Sequence, residues 1–142
     1  MQISSRFTVA LHVLACIAFF SDKSKVTSVF LADSVKVNPV VIRNILLQLK
    51  AAGLIRVERG TGGAYLERPA DEISILEVYN AIEPLENGTL FRFHENSNPN
   101  CPVGKNIRDV LDGRLAAIQE VMELKMRSMS LSDIMSDLND LI

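Results

Sequence analysis

Ala52-Gly53-Leu54-Ile55-Arg56-Val57-Glu58-Arg59-Gly60-Thr61-Gly62-Gly63-Ala64-Tyr65-Leu66 reads as a helix stop, a strand, a basic glycine tip and a return strand. Gly53 can close the preceding helix in the left-handed conformation that glycine adopts without steric cost. Upstream lie two short helix candidates separated by the turn Lys36-Val37-Asn38. Two helices, a tight turn and a hairpin, in that order, spell a winged helix-turn-helix, with residues 59 to 63 as the wing tip. The order predicts a DNA-binding protein.

Moving outward, Asn38 is a good N-cap and Pro39 a good first helical residue, because the first turn has no use for the N–H that proline lacks. The helix it opens runs to about Ala52, with Ile42, Ile45, Leu46 and Leu49 forming one buried stripe; Val41, Arg43, Asn44, Gln48 and Lys50 fall elsewhere. Thr27 can cap the helix before it, through about Val35, with Phe30, Leu31 and Val35 inward. Ser4 or Ser5 opens a first helix to Phe20, whose apolar positions are Phe7, Leu11, Leu14 and Ile17 or Ala18. His12 lies among those positions and reads as a core histidine.

Past the wing, Ile73 to Glu83 reads as a fourth helix with Ile75, Leu76, Tyr79 and Ile82 apolar, stopped by Pro84. Residues 86 to 100 form a polar loop rich in Asn, Gly, Pro and Ser, a length that in compact domains goes with function or mobility. Pro102 opens a long helix to about Arg127. Its stripe of Val103, Ile107, Val110, Leu111, Leu115, Ile118, Val121 and Met122 must meet a partner, and the expected partner is a second copy of the chain. Leu131 to Leu141 is a last helix folding back. Met122, Met126, Met129 and Met135 read as adaptable filler rather than a metal site. The expected class is mainly α with a small β hairpin: a winged helix-turn-helix domain over 1–84, a sensor or linker loop over 85–101, and dimerisation helices over 102–142.

The 142 residues, 48% of them apolar, suffice for one packed domain and an extension. The net charge of -2 on its own argues against a nucleic-acid partner, but the halves differ. Residues 1–70 hold nine Lys and Arg against four Asp and Glu, a balance of +5; residues 71–142 hold six against thirteen, a balance of -7. A basic head on an acidic body fits a DNA-facing end and an end kept off the phosphates. Two cysteines, Cys16 and Cys101, make no disulfide framework and fit a reducing cytoplasm. Arg6 followed by the apolar run 7–20, with Val13-Leu14-Ala15-Cys16 inside, imitates a lipoprotein signal; His12 interrupts it, and cleavage would delete a core helix. No stretch reaches the roughly 18 to 20 apolar residues of a membrane span.

Over nearly its whole length the chain resembles the Rrf2 family of bacterial winged-helix regulators, which includes iron-sulfur, nitric-oxide and cysteine-metabolism regulators. The most specific matches are Leu46 to Leu66 and the helix Ile73-Ser74-Ile75-Leu76-Glu77-Val78-Tyr79-Asn80-Ala81-Ile82-Glu83. Phe93-His94-Glu95-Asn96 and Asn98 to Gly104 are similar to a branch lacking the family's three-cysteine motif. The resemblance implies a homodimeric, cytoplasmic, usually repressing transcription factor on double-stranded DNA. It further implies that Val40, Val41, Arg43 and Asn44 read the major groove while Arg59, Gly60, Thr61, Gly62 and Gly63 enter the minor groove. Thr27, Ser28, Asn38 and Arg56 complete the candidate contacts. Arg suits guanine, Asn adenine, Val a thymine methyl, and a wing arginine the negative potential of a narrow minor groove. Arg43 and Asn44 stand where some members carry an acidic residue and a glutamine, so no operator carries over.

Cluster-binding members present three cysteines before the long helix, whereas this chain has only Cys101 there, so no iron-sulfur cofactor or other metal is expected. Cys101 would instead be the N-cap of the long helix, where free N–H groups favour a thiolate. With His94 nearby it is the candidate sensor of an oxidant or small molecule; the alternative is a structural cap. Cys101 and His94 as a catalytic pair lack an orienting third residue and an oxyanion loop, so an enzyme is not expected. A winged helix used only for protein contact remains the competing class.

Overall fold

The computed structural model of the chain describes residues 3–60, 62–83 and 88–142. Among them the order is α1 Ser5–Phe20, α2 Ser28–Val35, α3 Pro39–Ala51, β1 Ile55–Val57, β2 Ala64–Leu66, a 3-10 turn Ala70–Glu72, α4 Ile75–Ile82, α5 Pro102–Ser128 and α6 Leu131–Leu141. The helix starts are written in capping side chains, each satisfying a backbone N–H that the first turn leaves unpaired. Ser4 accepts from Arg6 N, Thr27 from Phe30 N, Asn38 from Val40 N, and Cys101 Sγ from Gly104 N. Ser74 with Glu77, and Ser130 with Asp133, form reciprocal capping boxes. Burial pushes the Glu77 carboxyl up, but bonds from Arg68 and Ser74 outweigh it and hold the group below the usual carboxylate range.

α2 ends at Lys36, whose left-handed backbone (φ 61) turns the chain into α3 and lets its N–H reach Ala32 O at 2.8 Å. Gly53 (φ 76) closes α3 as expected. β1 and β2 pair antiparallel, Ile55 with Leu66, Arg56 with Tyr65 and Val57 with Ala64.

Buried core residues come from both strands and from every α-helix except α5. Phe7, Ala10, Val13, Leu14 and Ile17 of α1 meet Leu31 and Ala32 of α2, Ile42, Ile45, Leu46 and Leu49 of α3, and Leu76, Val78, Tyr79 and Ile82 of α4. Phe7 and Tyr79 pack edge to face at 5.5 Å, an arrangement favoured by the ring quadrupoles. His12 is not in this core: it is exposed, with Nε2 3.0 Å from Ser34 Oγ. α1 is apolar around most of its circumference, so spacing alone could not choose its inward side.

The fourth helix starts two residues later than the sequence suggested. Ile73 is extended and pairs with the chain entering α6: Leu131 N donates to Ile73 O (2.8 Å) and Ile75 N to Met129 O (2.9 Å). Leu131 is thereby buried and α6 packs back on α1 and the 3-10 turn, within the head. The expected stop at Pro84 lies outside the described residues.

α5 has 27 residues, about 40 Å at 1.5 Å per residue, and none of them is buried. The proposed seam divides by environment. Met122, with Met126, packs on the chain's own core. Leu115 lies beside Phe91 and Phe93 of the preceding loop, while Arg108 stacks on Phe93 at 4.8 Å and Gln119 bonds Leu90 N and Gly88 O. Ile107 and Leu111 are half-buried, whereas Val110, Ile118 and Val121 are exposed together with Val103 and Leu124. Among the described residues no helix is long and apolar enough to cross a membrane.

Candidate nucleic-acid interface

α3 buries one face against the core and turns the other outward. On that outward face lie Val40 and Leu47, 51% and 65% exposed, with Arg43, Asn44 and Lys50 also exposed. Their spacing of three, four and seven places them in one stripe along the helix. Val41 is half-buried at the stripe's edge. Gln48 is turned away, its Oε1 accepting from Arg6 Nη2 at 2.5 Å, which ties the start of α1 to α3. Asn38 is exposed, but its Oδ1 is engaged by Val40 N at 2.8 Å as the helix cap. Leu47 is an addition that the sequence reading missed, although its distance from Val40 and Arg43 was a sufficient signal.

Between α3 and the wing runs a groove of about 460 Å³. Arg43, Leu47 and Lys50 form one side, Val57, Gly60 and Gly62 the other, and Thr27 and Ser28 its end. The fold thus brings Thr27, Ser28, Arg43, Gly60, Gly62 and Gly63 around one concavity, with Val40 and Asn44 further along the same helix face. Glu58 also lines the groove, the one acidic group among the described residues of its wall. Arg59 is exposed beside Gly60, whose positive φ of 74 turns the chain at the tip. Thr61, the middle of the expected tip, lies outside the described residues.

Two candidates are placed differently from the expectation. Arg56 alternates with Val57 along β1, so it points to the opposite face of the hairpin. There it stacks over Tyr65 at 5.0 Å, donates to Leu66 O at 3.4 Å and lies 3.9 Å from Glu58, on a surface shared with Ala18 and Met135. Gly63 is buried at the base of the wing and not presented at its tip. A Cβ there would lie 2.7 Å from Val26 N and 2.9 Å from Val26 O, so glycine is needed for the wing to close on the head's own backbone. Ala64 N donates to Val26 O at 2.9 Å beside it.

At the far end, Cys101 is half-buried at the start of α5, and the backbone N–H groups of Gly104 and Val103 hold its thiol below the usual range. His94 is exposed on the loop and shares no hydrogen bond with it. The expected pair is therefore a single thiol.

The family model for Rrf2, described as an iron-dependent transcriptional regulator, matches residues 3–137. The chain is 43% identical over 137 residues to YwnA of Bacillus subtilis (strain 168), named as a candidate HTH-type transcriptional regulator; the match covers 96% of this chain and 99% of that protein. A solved structure described as a candidate DNA binding protein matches with a TM-score of 0.72 and 37% identity, over 92% of this chain and 99% of its own. Another, described as a candidate transcriptional regulator from Lactobacillus plantarum, gives 0.79 at 27% identity, over 95% and 90%. The description of the family model implies iron, and the donors present do not fit it. Among the described residues no three His, Cys, Asp or Glu side chains are grouped to hold a metal ion. The two thiols lie on different helices, one buried in α1 and one at the start of α5, whereas a cluster takes several thiolates together.

Proposed function

This chain belongs to the Rrf2 family of transcriptional regulators, and from that premise we propose that it is a cytoplasmic repressor that binds a palindromic operator as a homodimer. It is a regulator and not an enzyme. The observation that carries the reading is the groove: Arg43, Leu47 and Lys50 of α3 face Gly60 and Gly62 of the wing across it. In this reading α3 enters the major groove, where Arg43 and Asn44 offer the donors and acceptors that distinguish guanine and adenine, and Val40 and Leu47 offer apolar contact to thymine methyls. Arg59 reaches the adjacent minor groove. Thr27 and Ser28, at the exposed start of α2, hold phosphates.

Duplex selected from genomic fragments should bind with an affinity that falls steeply as salt rises, because each phosphate neutralised releases counterions. Arg59→Ala is expected to weaken binding and to lower the slope of log affinity against log salt by about one. Weak, salt-insensitive binding in a titration followed by fluorescence anisotropy would transfer the reading to a protein-interaction module.

Dimerisation is supported by α5, whose Val103, Val110, Ile118, Val121 and Leu124 form an exposed apolar ridge on an otherwise charged helix. A two-fold seam of that kind would set two α3 helices on half-sites roughly 34 to 36 Å apart, one turn of DNA. Ile118→Glu should convert a dimer to a monomer in sedimentation velocity and abolish operator binding at the concentrations where the native chain binds. A wild-type chain that sediments as a monomer at all concentrations rejects the seam.

We assign the response to oxidant to Cys101, a half-buried thiol whose anion is favoured by two backbone N–H groups. Peroxide would convert that thiolate to a sulfenic acid as its O–O bond breaks and hydroxide leaves. The polar oxygen at the cap would then disturb the start of the dimer helix. Cys101→Ser is expected to retain operator affinity and to lose the fall in affinity caused by peroxide. Undiminished peroxide sensitivity in the variant leaves Cys101 with capping alone.

A further inference from the structure

A second pocket, of about 400 Å³, opens between α1, α2 and α6 on a side of the molecule separate from the groove. Leu11 and Phe19 of α1 and Ile134 and Leu138 of α6 make its walls apolar. Three polar side chains interrupt them: Cys16, Ser34 and His12. Cys16 Sγ lies 3.3 Å from Ser34 Oγ, which lies 3.0 Å from His12 Nε2. His12 and Cys16 are one helical turn apart, so both face the same pocket. With its proton on Nδ1, His12 accepts from the Ser34 hydroxyl, and Ser34 Oγ in turn accepts from the thiol. A nucleophile, a hydrogen-bonded path to a base and an apolar cavity are the parts of a covalent capture site.

We propose that this pocket takes a small apolar α,β-unsaturated carbonyl compound, which Cys16 captures by conjugate addition. The Sγ–C bond forms at the alkene carbon distant from the carbonyl while the π pair moves toward oxygen as an enolate. The thiol proton passes through Ser34 to His12 and is returned to the carbon next to the carbonyl. The step is an addition, so every atom is retained and no oxidant is consumed. Ser34 is the penultimate residue of α2, just before the left-handed Lys36 that turns the chain into α3. An adduct lodged between α6 and Ser34 would displace that turn and with it the outward face of α3. This last consequence rests on the operator-binding reading; the capture does not.

The test is exposure of the full chain to benzylideneacetone, with the site of addition and its rate read by peptide mass spectrometry. Cys16 is 6% exposed, yet it should take up one molecule faster than the more accessible Cys101. Charged iodoacetate should show the reverse preference. Ser34→Ala and His12→Gln, both at exposed positions and checked for retained helicity, should slow addition at Cys16 by about ten- to a hundredfold. Faster labelling of Cys101 by the enone, or an unchanged rate in both variants, overturns the site. The adduct should weaken operator binding by about tenfold, roughly 1.4 kcal/mol. An adduct that leaves affinity unchanged overturns the signalling role. Failure of the unmodified chain to bind operator would count instead against the DNA-binding reading.

Discussion

Gly63→Ala is expected to destabilise this head strongly. The new Cβ would meet Val26 N at 2.7 Å and Val26 O at 2.9 Å, backbone atoms that cannot swing aside as a flexible side chain would. Relief requires β2 to lift from the segment before α2, lengthening the 2.9 Å bond from Ala64 N to Val26 O. Overpacking of this kind costs about 1 to 3 kcal/mol, which for a chain of this size corresponds to a loss of roughly 3 to 10 °C in Tm. Operator affinity should fall as well, since the wing is re-aimed. Gly60→Ala is the contrasting variant: φ there is positive (74), unlike at Gly63, and no atom lies within 4 Å of the new Cβ, so its cost is backbone strain alone. Calorimetry on the two variants decides the matter. A Gly63→Ala chain that melts with the native chain would mean that the wing does not close on Val26.

Arg43→Ala is expected to have the largest effect on recognition. Arg43 is exposed in the middle of the outward stripe of α3 and at the wall of the groove, and a bidentate contact to a base is worth about 1 to 3 kcal/mol. Affinity for a selected operator should fall about ten- to a hundredfold, and preference at one position of each half-site should relax. Arg56→Ala supplies the contrast. Its guanidinium is held over Tyr65 on the far face of the hairpin, so its loss should leave sequence preference intact. Competition binding with a panel of single-base operator variants reads both. If Arg43→Ala lowered all affinities uniformly, the residue would be a phosphate contact and not a reader.

The elements were legible where one physical signal acted alone. α3 was read with its four buried positions because polar and apolar residues alternate around it cleanly, and the capping residues Thr27, Asn38 and Cys101 announced their helices. α1 was read as a helix but not in its orientation. Its apolar residues face most directions, so spacing alone puts His12 inward, whereas Val13 and Ala10 fill the core and His12 faces Ser34. Ile73 reads as helical in the sequence because the strand-like pairing that claims it comes from Leu131, far along the chain.

The candidate interface was legible in outline for the same reason that α3 was. Leu47 was within reach of the spacing rule, and so was the separation of Arg56 from Val57 by strand alternation. The role of Gly63 was not: a run of glycines shows that some backbone must come close, but not that it is Val26, 37 positions earlier. Nor could a stripe on α5 reveal which residues face a neighbour and which, like Met122, face the chain's own core.

The antiparallel bridge between Ser74 and Ser130 gives the long helix a fixed anchorage. It clamps the C-terminal end of a rod about 40 Å long to the root of α4, while along its other half Arg108, Leu115 and Gln119 meet the preceding loop. A twist applied to the rod would therefore be delivered to the head at the clamped end, where Met122 and Met126 also pack on the core.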